Sequence, residues 1–487
     1  MLLTSVFLAG HAITRRAEAP WLKAVARVVF LTVLIRALNA FRSQFEILST
    51  GHIRMWAGQA GYLTLAGTLM VLLFIAVRRF GLEGVTRMGA RLLLVLAPFG
   101  LVNCIQGTWL AVKYGPSTNW EQPAAIFPAA RNGTARVLWL IFDEMDERIT
   151  FADRPAGLDL PELDRLQGEG LFATHAYPPA GHTTQSVPAL LTGQLVAGVA
   201  MTGPAEQSLE IPALPSVVDW SSQPDVFRDA LAEGFSTGLI GWCIPYCRII
   251  GNHLNSCSWF PADQVADHRT LSVAGNMIRQ DLALLYLAPF GGRRVTNWLD
   301  RTMIDYRVHQ LATYEAMIDE AIALASSPRF DLSFIHMPVP HAPYIYDRRN
   351  QTTSATEASS YLDNLALADA ALGRLRQAME KSNIWERTTL IVSSDHWWRT
   401  DLLETRRFWD PDDAVIRSDR PDRRVPFIVR LAGQTGGATY EPEFNTVLTR
   451  DFIRAVMKGD VVLYEDAVKW LDDHRSIGES PYHLYDQ

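Results

Sequence analysis

Nowhere along the 487 residues is there a basic run or a ladder of aromatics of the kind that tracks nucleic acid, so no nucleic-acid partner is expected. Internal repeats and low-complexity stretches are also missing. A hydrophobic content of 48% with a net charge of -7 excludes the disordered and collagen-like classes. Charge is absent from two long stretches, 55–77 and 92–112, each long enough to cross a hydrocarbon core of about 30 Å as a helix. A third, 24–41, carries only Arg27 and Arg36 and reads as a further span. The first 14 residues lack a preceding basic stretch, which makes them a poor signal peptide and more like the remnant of another helix. If the helices alternate, Arg15, Arg16 and Lys23 share one side with Arg78, Arg79, Arg87 and Arg91. The positive-inside rule then puts both loops in the cytoplasm and everything after Lys113 outside. The expectation is a multi-pass protein of the cytoplasmic (inner) membrane with an outward, periplasmic globular domain and the bilayer as a partner. The acidity of the whole chain says little about other partners.

Cysteine is scarce, with four in all. Cys104 falls in an expected span, while Cys243, Cys247 and Cys257 crowd one loop. In an oxidising compartment a local Cys247–Cys257 bridge is the preferred pairing, because the loop between them gives room for disulfide geometry. Cys243 is then left over. A small metal knuckle that includes His253 is the rival reading.

What is present divides the chain into a transmembrane helical anchor (1–113), a proline-rich linker (114–132), a large domain (133–435) and a C-terminal appendage (436–487). Within the large domain, RVLWLIF (136–142), STGLIGW (236–242), DLSFIHM (331–337), TLIVSSD (389–395) and VPFIVRL (425–431) are apolar enough to be strands buried on both faces. Helical spacing over 303–326 and 355–381 separates them, the second with Leu362, Leu365, Leu367, Leu372 and Leu375 on one apolar side. The alternation predicts an α/β sandwich around a largely parallel sheet. A last helix is expected over 465–473.

Ligands of such sheets gather at the carboxyl ends of the strands, and those ends are rich in metal-type residues. The first strand ends in Asp143 and Glu144, and TLIVSSDH ends in Asp395 and His396. His336 and His341 accompany the strand DLSFIHM, and the segment HTTQSVPALLTG (182–193) lies downstream of the first strand. Its hydroxyls fit an N-cap, with Pro188 in a first helical turn. Asp143 as a turn cap and the Asp-His pair as an ion pair are equally ordinary taken singly. Taken together, carboxylates, imidazole and hydroxyl suit a divalent cation such as zinc or manganese, with calcium or magnesium as alternatives. A hydroxyl beside such a cation becomes a nucleophile for displacement at phosphorus or sulfur.

The first-strand acidic pair, SVPALLTG, PHAPY, the helix YLDNLALADAALGRL leading to TTLIVSSDH, and RRVPFIVRL resemble, in order and spacing, the alkaline phosphatase superfamily and its sulfatase-like branch, over 136–431. The resemblance implies an alkaline-phosphatase-like α/β sandwich and a metal held by Asp143, Glu144, Asp395 and His396, with Thr183 completing the shell. Aligned on ALLTG, Thr183 stands where sulfatases carry the residue that becomes formylglycine, which makes it the implied nucleophile and leaves Thr184 and Ser186 to cap the helix. Sulfatases follow that residue with Pro-Ser-Arg. Gln185, Ser186 and Val187 stand here, so formylglycine chemistry is not expected. A threonine nucleophile is similar to lipoteichoic acid synthase and to phosphoethanolamine transferases. The usual glycine after Asp-His is Trp397, followed by Trp398, and no histidine lies between His396 and His474 to add a zinc ligand. His341 is expected to bind a substrate oxygen or protonate the leaving group, and His336, Arg399, Arg406 and Arg407 to contact the substrate anion. The function implied is a metal-dependent transferase or hydrolase of phosphate or sulfate esters on a membrane lipid or cell-envelope glycan. A sulfatase-type hydrolase without formylglycine and a non-catalytic relic of the fold used for sensing or assembly are the alternatives.

Overall fold

Strand β1 (Arg136–Asp143) is buried at every position, which only a central strand covered on both faces can satisfy. The computed structural model describes residues 19–23, 27, 64–65, 67–69, 71–91, 102, 105, 108–109, 136–203, 206–262, 293–399, 411–417 and 422–475, the side chains of 202–203, 293–305 and 411 apart. The chain divides into two compact units, one of Met1–Thr118 with His268–Gly291 and one of Asn119–Asp267 with Gly292–Gln487.

In the first unit the main described element is a helix over 71–91. It does not stop at the apolar run but continues through Arg78, Arg79, Glu83, Arg87 and Arg91. Among the described residues no helix is long and apolar enough to cross a membrane. That finding corrects the expected multi-pass inner-membrane location and the periplasmic placement that depended on it. Most of the spans expected at 24–41, 55–77 and 92–112, with Cys104 and the linker at 114–132, lie outside the described residues.

In the second unit the strands are β1, β2 (Leu171–Ala173), β3 (Ala176–Tyr177), β4 (Gly198–Gly203), β5 (Glu206–Glu210), β6 (Val218–Asp219), β7 (Thr237–Trp242), β8 (Ser256–Phe260), β9 (Leu332–Pro340), β10 (Tyr346–Asp347), β11 (Thr352–Thr353), β12 (Thr388–Ser393), β13 (Phe427–Arg430), β14 (Ala438–Tyr440) and β15 (Phe444–Asn445). An eight-stranded sheet runs in the order β14-β2-β13-β12-β1-β9-β7-β8. Pairing is parallel from β12 through β1, β9 and β7 to β8. The expected strand at 425–431 joins as β13 but antiparallel to β12. Strands β4, β5 and β6 form a separate antiparallel sheet.

The helices are α1 (Pro161–Glu169), α2 (Thr183–Thr192), α3 (Val226–Ala232), α4 (Tyr246–Ile249), α5 (Arg293–Ala325), α6 (Tyr361–Lys381), α7 (Pro411–Ile416), α8 (Thr449–Lys458) and α9 (Tyr464–His474). Helix α6 starts at 361 rather than 355 because Ser360 and Asp363 close a capping box there. Its leucines at 362, 365, 367, 372 and 375 are all buried, in the cluster on one side of the sheet. Helix α2 packs in the cluster on the other side, with Phe452 and Val456 of α8 and Tyr440 of β14. Residues beyond 436 therefore complete the core of this unit. The layers are helix, sheet, helix, with the carboxyl ends of β12, β1, β9 and β7 side by side.

Candidate active site

Three acid–base side chains meet where those strand ends adjoin. Asp143 closes β1, Asp395 and His396 follow β12 by two and three residues, and one ligand atom from each lies within 4.8 Å of the others. All three are fully buried. The first turn of α2 faces them, and Thr183 Oγ1 lies 3.1 Å from His396 Nε2 and 3.4 Å from Asp143 Oδ2.

Local chain geometry explains the convergence. The β1–β9 register shifts after Phe142, so that Asp143 pairs with Pro340, because prolines at 338 and 340 offer no N–H to the ladder. The His341 N–H then donates to the Asp143 carbonyl at 3.1 Å, which brings this imidazole beside the site. Ser394 Oγ bonds the Phe142 carbonyl at 2.8 Å and accepts from Met145 N at 2.9 Å, holding the ends of β1 and β12 together. From α6, Tyr361 Oη donates to the Glu144 carbonyl at 2.9 Å and accepts from Asp146 N at 3.0 Å. Its ring stacks on Trp398 with centroids 4.8 Å apart. Trp397 lies against Gly181, where a Cβ would come within 2.9 Å of the indole. Trp397 is thus matched by a bare backbone before α2, and Trp398 by an aromatic partner from α6.

Helix α2 differs from the expected capping scheme. His182 occupies the N-cap position in an extended conformation, and no side chain caps the end. Ser186 Oγ instead donates to the Asp395 carbonyl, tying the helix to the turn after β12. Pro188 lies inside the helix, not in its first turn. It has no N–H for the Thr184 carbonyl four residues back, and Gln207 Nε2 of β5 donates to that oxygen at 3.4 Å. Gln185 N and Ser186 N donate to the His182 carbonyl, and the N-terminus of α2, which begins at Thr183, is the end of a helix that favours an anion.

The donor set fits a divalent cation. Asp143 Oδ1 and Asp395 Oδ2 are buried without a hydrogen-bond partner, and carboxylate oxygens are rarely left so unless a cation or water takes them. His396 Nδ1 lies 3.0 Å from the Trp397 carbonyl, which only an N–H can satisfy, so Nε2 is the nitrogen left facing Thr183 and the two carboxylates. Burial pushes the Asp143 carboxyl up, but His341, His336 and His396 together outweigh it and hold the group well below the usual carboxylate range. Just behind, burial pushes Asp146 up to about 6 against the pull of Arg148, and Glu147 up to about 7 against that of Arg424.

Glu144 is not in the three-residue ligand group. Its backbone has φ 67, and Oε1 accepts from Arg399 N at 3.3 Å and Nε at 3.4 Å. Its Oε2 is unpartnered and lies 3.9 Å from His341 Nε2. The expected ligand thus faces the second histidine instead of joining the trio. His341 Nδ1 bonds the Ala342 carbonyl, which leaves its Nε2 toward the carboxylates. Arg399 also bonds the Gly181 carbonyl at 3.2 Å and His182 Nδ1 at 2.6 Å, so it bridges Glu144 to the start of α2. Arg406 and Arg407 lie outside the described residues. His336 is fully buried behind Asp143, with Nε2 3.2 Å from Oδ2. That burial is at odds with contact to substrate and gives it a supporting place instead. Cys247 and Cys257 are bridged, and Cys243 is free. Among the described residues the cysteines therefore form no metal knuckle.

Residues 279–458 match the family model for sulfatases, which bears out the sulfatase-like resemblance of the motifs in that stretch. That match takes in His336, His341, Asp395 and His396, while Asp143 and Thr183 precede it. An arylsulfatase from Hemicentrotus pulcherrimus is 21% identical over 280 residues, 56% of this chain and 49% of that protein. The chain thus spans about half the length of the curated relative it matches. Among solved structures, an alkaline phosphatase superfamily protein from Vibrio parahaemolyticus superposes with a TM-score of 0.40 at 14% identity, covering 68% of each chain. The lipoteichoic acid synthase LtaP from Listeria monocytogenes gives 0.41 at 11% identity, covering 71% of this chain and 78% of that one.

Proposed function

We propose that the protein is a metal-dependent hydrolase or transferase of sulfate or phosphate esters that works through Thr183. The observation that carries the reading is the position of Thr183 Oγ1, 3.1 Å from His396 Nε2 and 3.4 Å from Asp143 Oδ2, at the open N-terminus of a helix. Asp143, Asp395 and His396 would hold one divalent cation, zinc or manganese by the mixture of oxygen and imidazole donors. When bound, it lowers the pKa of an adjacent hydroxyl and neutralises negative charge on an ester oxygen.

The remaining chemistry belongs to the side chains. Thr183 gives up its hydroxyl proton to solvent as Oγ1 forms the new bond to phosphorus or sulfur and the ester oxygen departs, and the N-terminus of α2 favours the anionic oxygens. In its protonated state His341 gives a proton to the leaving oxygen, with Glu144 Oε2 at 3.9 Å to stabilise that charge. Arg399 orients Glu144 and the start of α2. Water or an acceptor hydroxyl then releases the group from Thr183, and that choice separates hydrolysis from transfer. Lipid or glycan esters are the proposed substrates, on the strength of the motif resemblance. Turnover of aryl sulfate and aryl phosphate esters by the metal-loaded protein, compared with Thr183→Ala, tests the reading. Equal turnover by the two proteins would refute it.

A further inference from the structure

Tyr246 opens the short helix α4, ninety residues from His336 in sequence, yet its Oη lies 2.7 Å from His336 Nδ1. The other imidazole nitrogen faces Asp143 Oδ2 at 3.2 Å, a charge contact that does not close as a hydrogen bond and leaves this nitrogen otherwise unpartnered. All three side chains are fully buried. The phenol has no other hydrogen-bond partner among the described residues, so this contact decides where its proton points. If Nδ1 carried the imidazole proton, the Nε2 lone pair would face a buried carboxylate oxygen, and two acceptors would be opposed without water between them. If the phenol donates to Nδ1, the proton sits on Nε2 and meets Asp143 Oδ2. Burial raises the phenol well above its ordinary range and keeps it a donor.

The chain is shaped to hold this phenol in place. Tyr246 lies over Gly241, where a Cβ would fall 2.2 Å from the ring. Trp220 and Phe334 flank it at centroid distances of 6.4 Å and 6.0 Å. The next residue, Cys247, is bridged to Cys257 of β8.

We propose that Tyr246 is a positioning residue for the metal centre: by donating to His336 Nδ1 it fixes the imidazole with its N–H toward Asp143 Oδ2, which turns Oδ1 to the cation. The proposal rests on the reading of Asp143 as a ligand. Outer partners of this kind typically change metal affinity by about 10- to 100-fold when removed.

Manganese affinity of the full-length protein, measured by titration with free Mn²⁺, provides the test. Tyr246→Phe should stay folded and bind Mn²⁺ about 10- to 100-fold more weakly. In a His336→Asn background the same change should have no further effect, because Tyr246 acts through that ring. Unchanged affinity in Tyr246→Phe, or an equal loss in both backgrounds, overturns the proposal. Asp143→Asn separates the two levels: if it loses Mn²⁺ while Tyr246→Phe does not, the ligand set stands and the positioning role fails. If Asp143→Asn binds as tightly as the unaltered protein, the ligand reading itself falls and the proposal with it. ¹⁵N shifts of the His336 ring in the unaltered protein, assigned with His336→Asn, give a check that needs no folded Tyr246 variant. The proton on Nε2 is expected; a proton on Nδ1 contradicts the proposal.

Discussion

Ser186 Oγ, in the second turn of α2, donates to the main-chain carbonyl of Asp395, 209 residues further along the chain. The bond fixes how far the Thr183 hydroxyl stands from the carboxylates that follow β12. Ser186→Ala would leave that buried carbonyl unpaired, at about 1–3 kcal/mol. It should lower the thermal midpoint modestly and reduce turnover disproportionately, while an exposed substitution of similar stability cost leaves turnover alone. Turnover that falls only in step with stability would show the bond to be structural alone.

The second prediction separates two neighbours on β1. Asp143→Asn, Asp395→Asn and His396→Ala should each lose bound metal by more than the roughly 10- to 100-fold expected of an outer partner. Glu144→Gln should keep most of its metal and lose turnover, because Glu144 faces His341 and Arg399 rather than the trio. Elemental analysis after dialysis decides it, and metal loss in Glu144→Gln equal to that in Asp143→Asn would restore Glu144 as a ligand.

A third concerns pH and lies away from the site. Asp369 Oδ1 of α6 accepts from Glu162 N and Leu163 N at 3.0 Å and 2.8 Å, capping α1, whose own N-cap residue supplies no side-chain bond. Burial pushes this carboxyl from 3.8 up to about 7, in spite of those backbone bonds. Its raised value means the folded protein binds the proton more tightly than the unfolded chain. The contribution is therefore present in full below about pH 4 and is lost as pH rises toward 7, at up to about 1.4 kcal/mol per pH unit. Asp369→Asn keeps an acceptor and removes the titration, so denaturant unfolding should show it gaining on the unaltered protein between pH 4.5 and pH 8. A variant that instead falls behind at pH 8 would mean that the cap works as a carboxylate.

Cysteine chemistry gives the fourth. Removing the Cys247–Cys257 bridge as a double serine variant should cost about 2–3 kcal/mol, since it frees a loop of sequence separation 10 in the unfolded chain. Burial, reinforced by Asp143 and Asp395, pushes the Cys243 thiol up to about 12. Mass mapping after alkylation of the native protein should find Cys243 unmodified, and rapid labelling would contradict its placement.

The sequence made the sheet legible because strands buried on both faces must be continuously apolar, and β1, β7, β9 and β12 run where their apolar letters run. The strand ends were legible for the same reason, since a carboxylate or imidazole just past such a run has few places to go. The hydroxyls of HTTQSVPALLTG misled as caps because a cap and a tertiary bond look alike in sequence. Ser186 is spent on Asp395, and Pro188 is tolerated inside the helix only because Gln207, on another strand, serves the carbonyl it leaves open. Tyr246 carried no signal beyond its place beside Cys247, because its partner His336 is brought to it by the pairing of β7 with β9. The direction of the Glu144 side chain, toward His341 and Arg399, could not be read in the letters because it depends on a backbone φ of 67.

The measurement that bears most directly on the account is mass spectrometry of the metal-loaded protein after brief exposure to an aryl phosphate or aryl sulfate donor. Thr183, close to both His396 and Asp143, should carry the transferred group, Thr183→Ala should carry none and turn nothing over, and Thr184→Ala should react as the unaltered protein does. An adduct on Thr184 or Ser186, or undiminished turnover in Thr183→Ala, would contradict the assignment of the nucleophile and the function built on it.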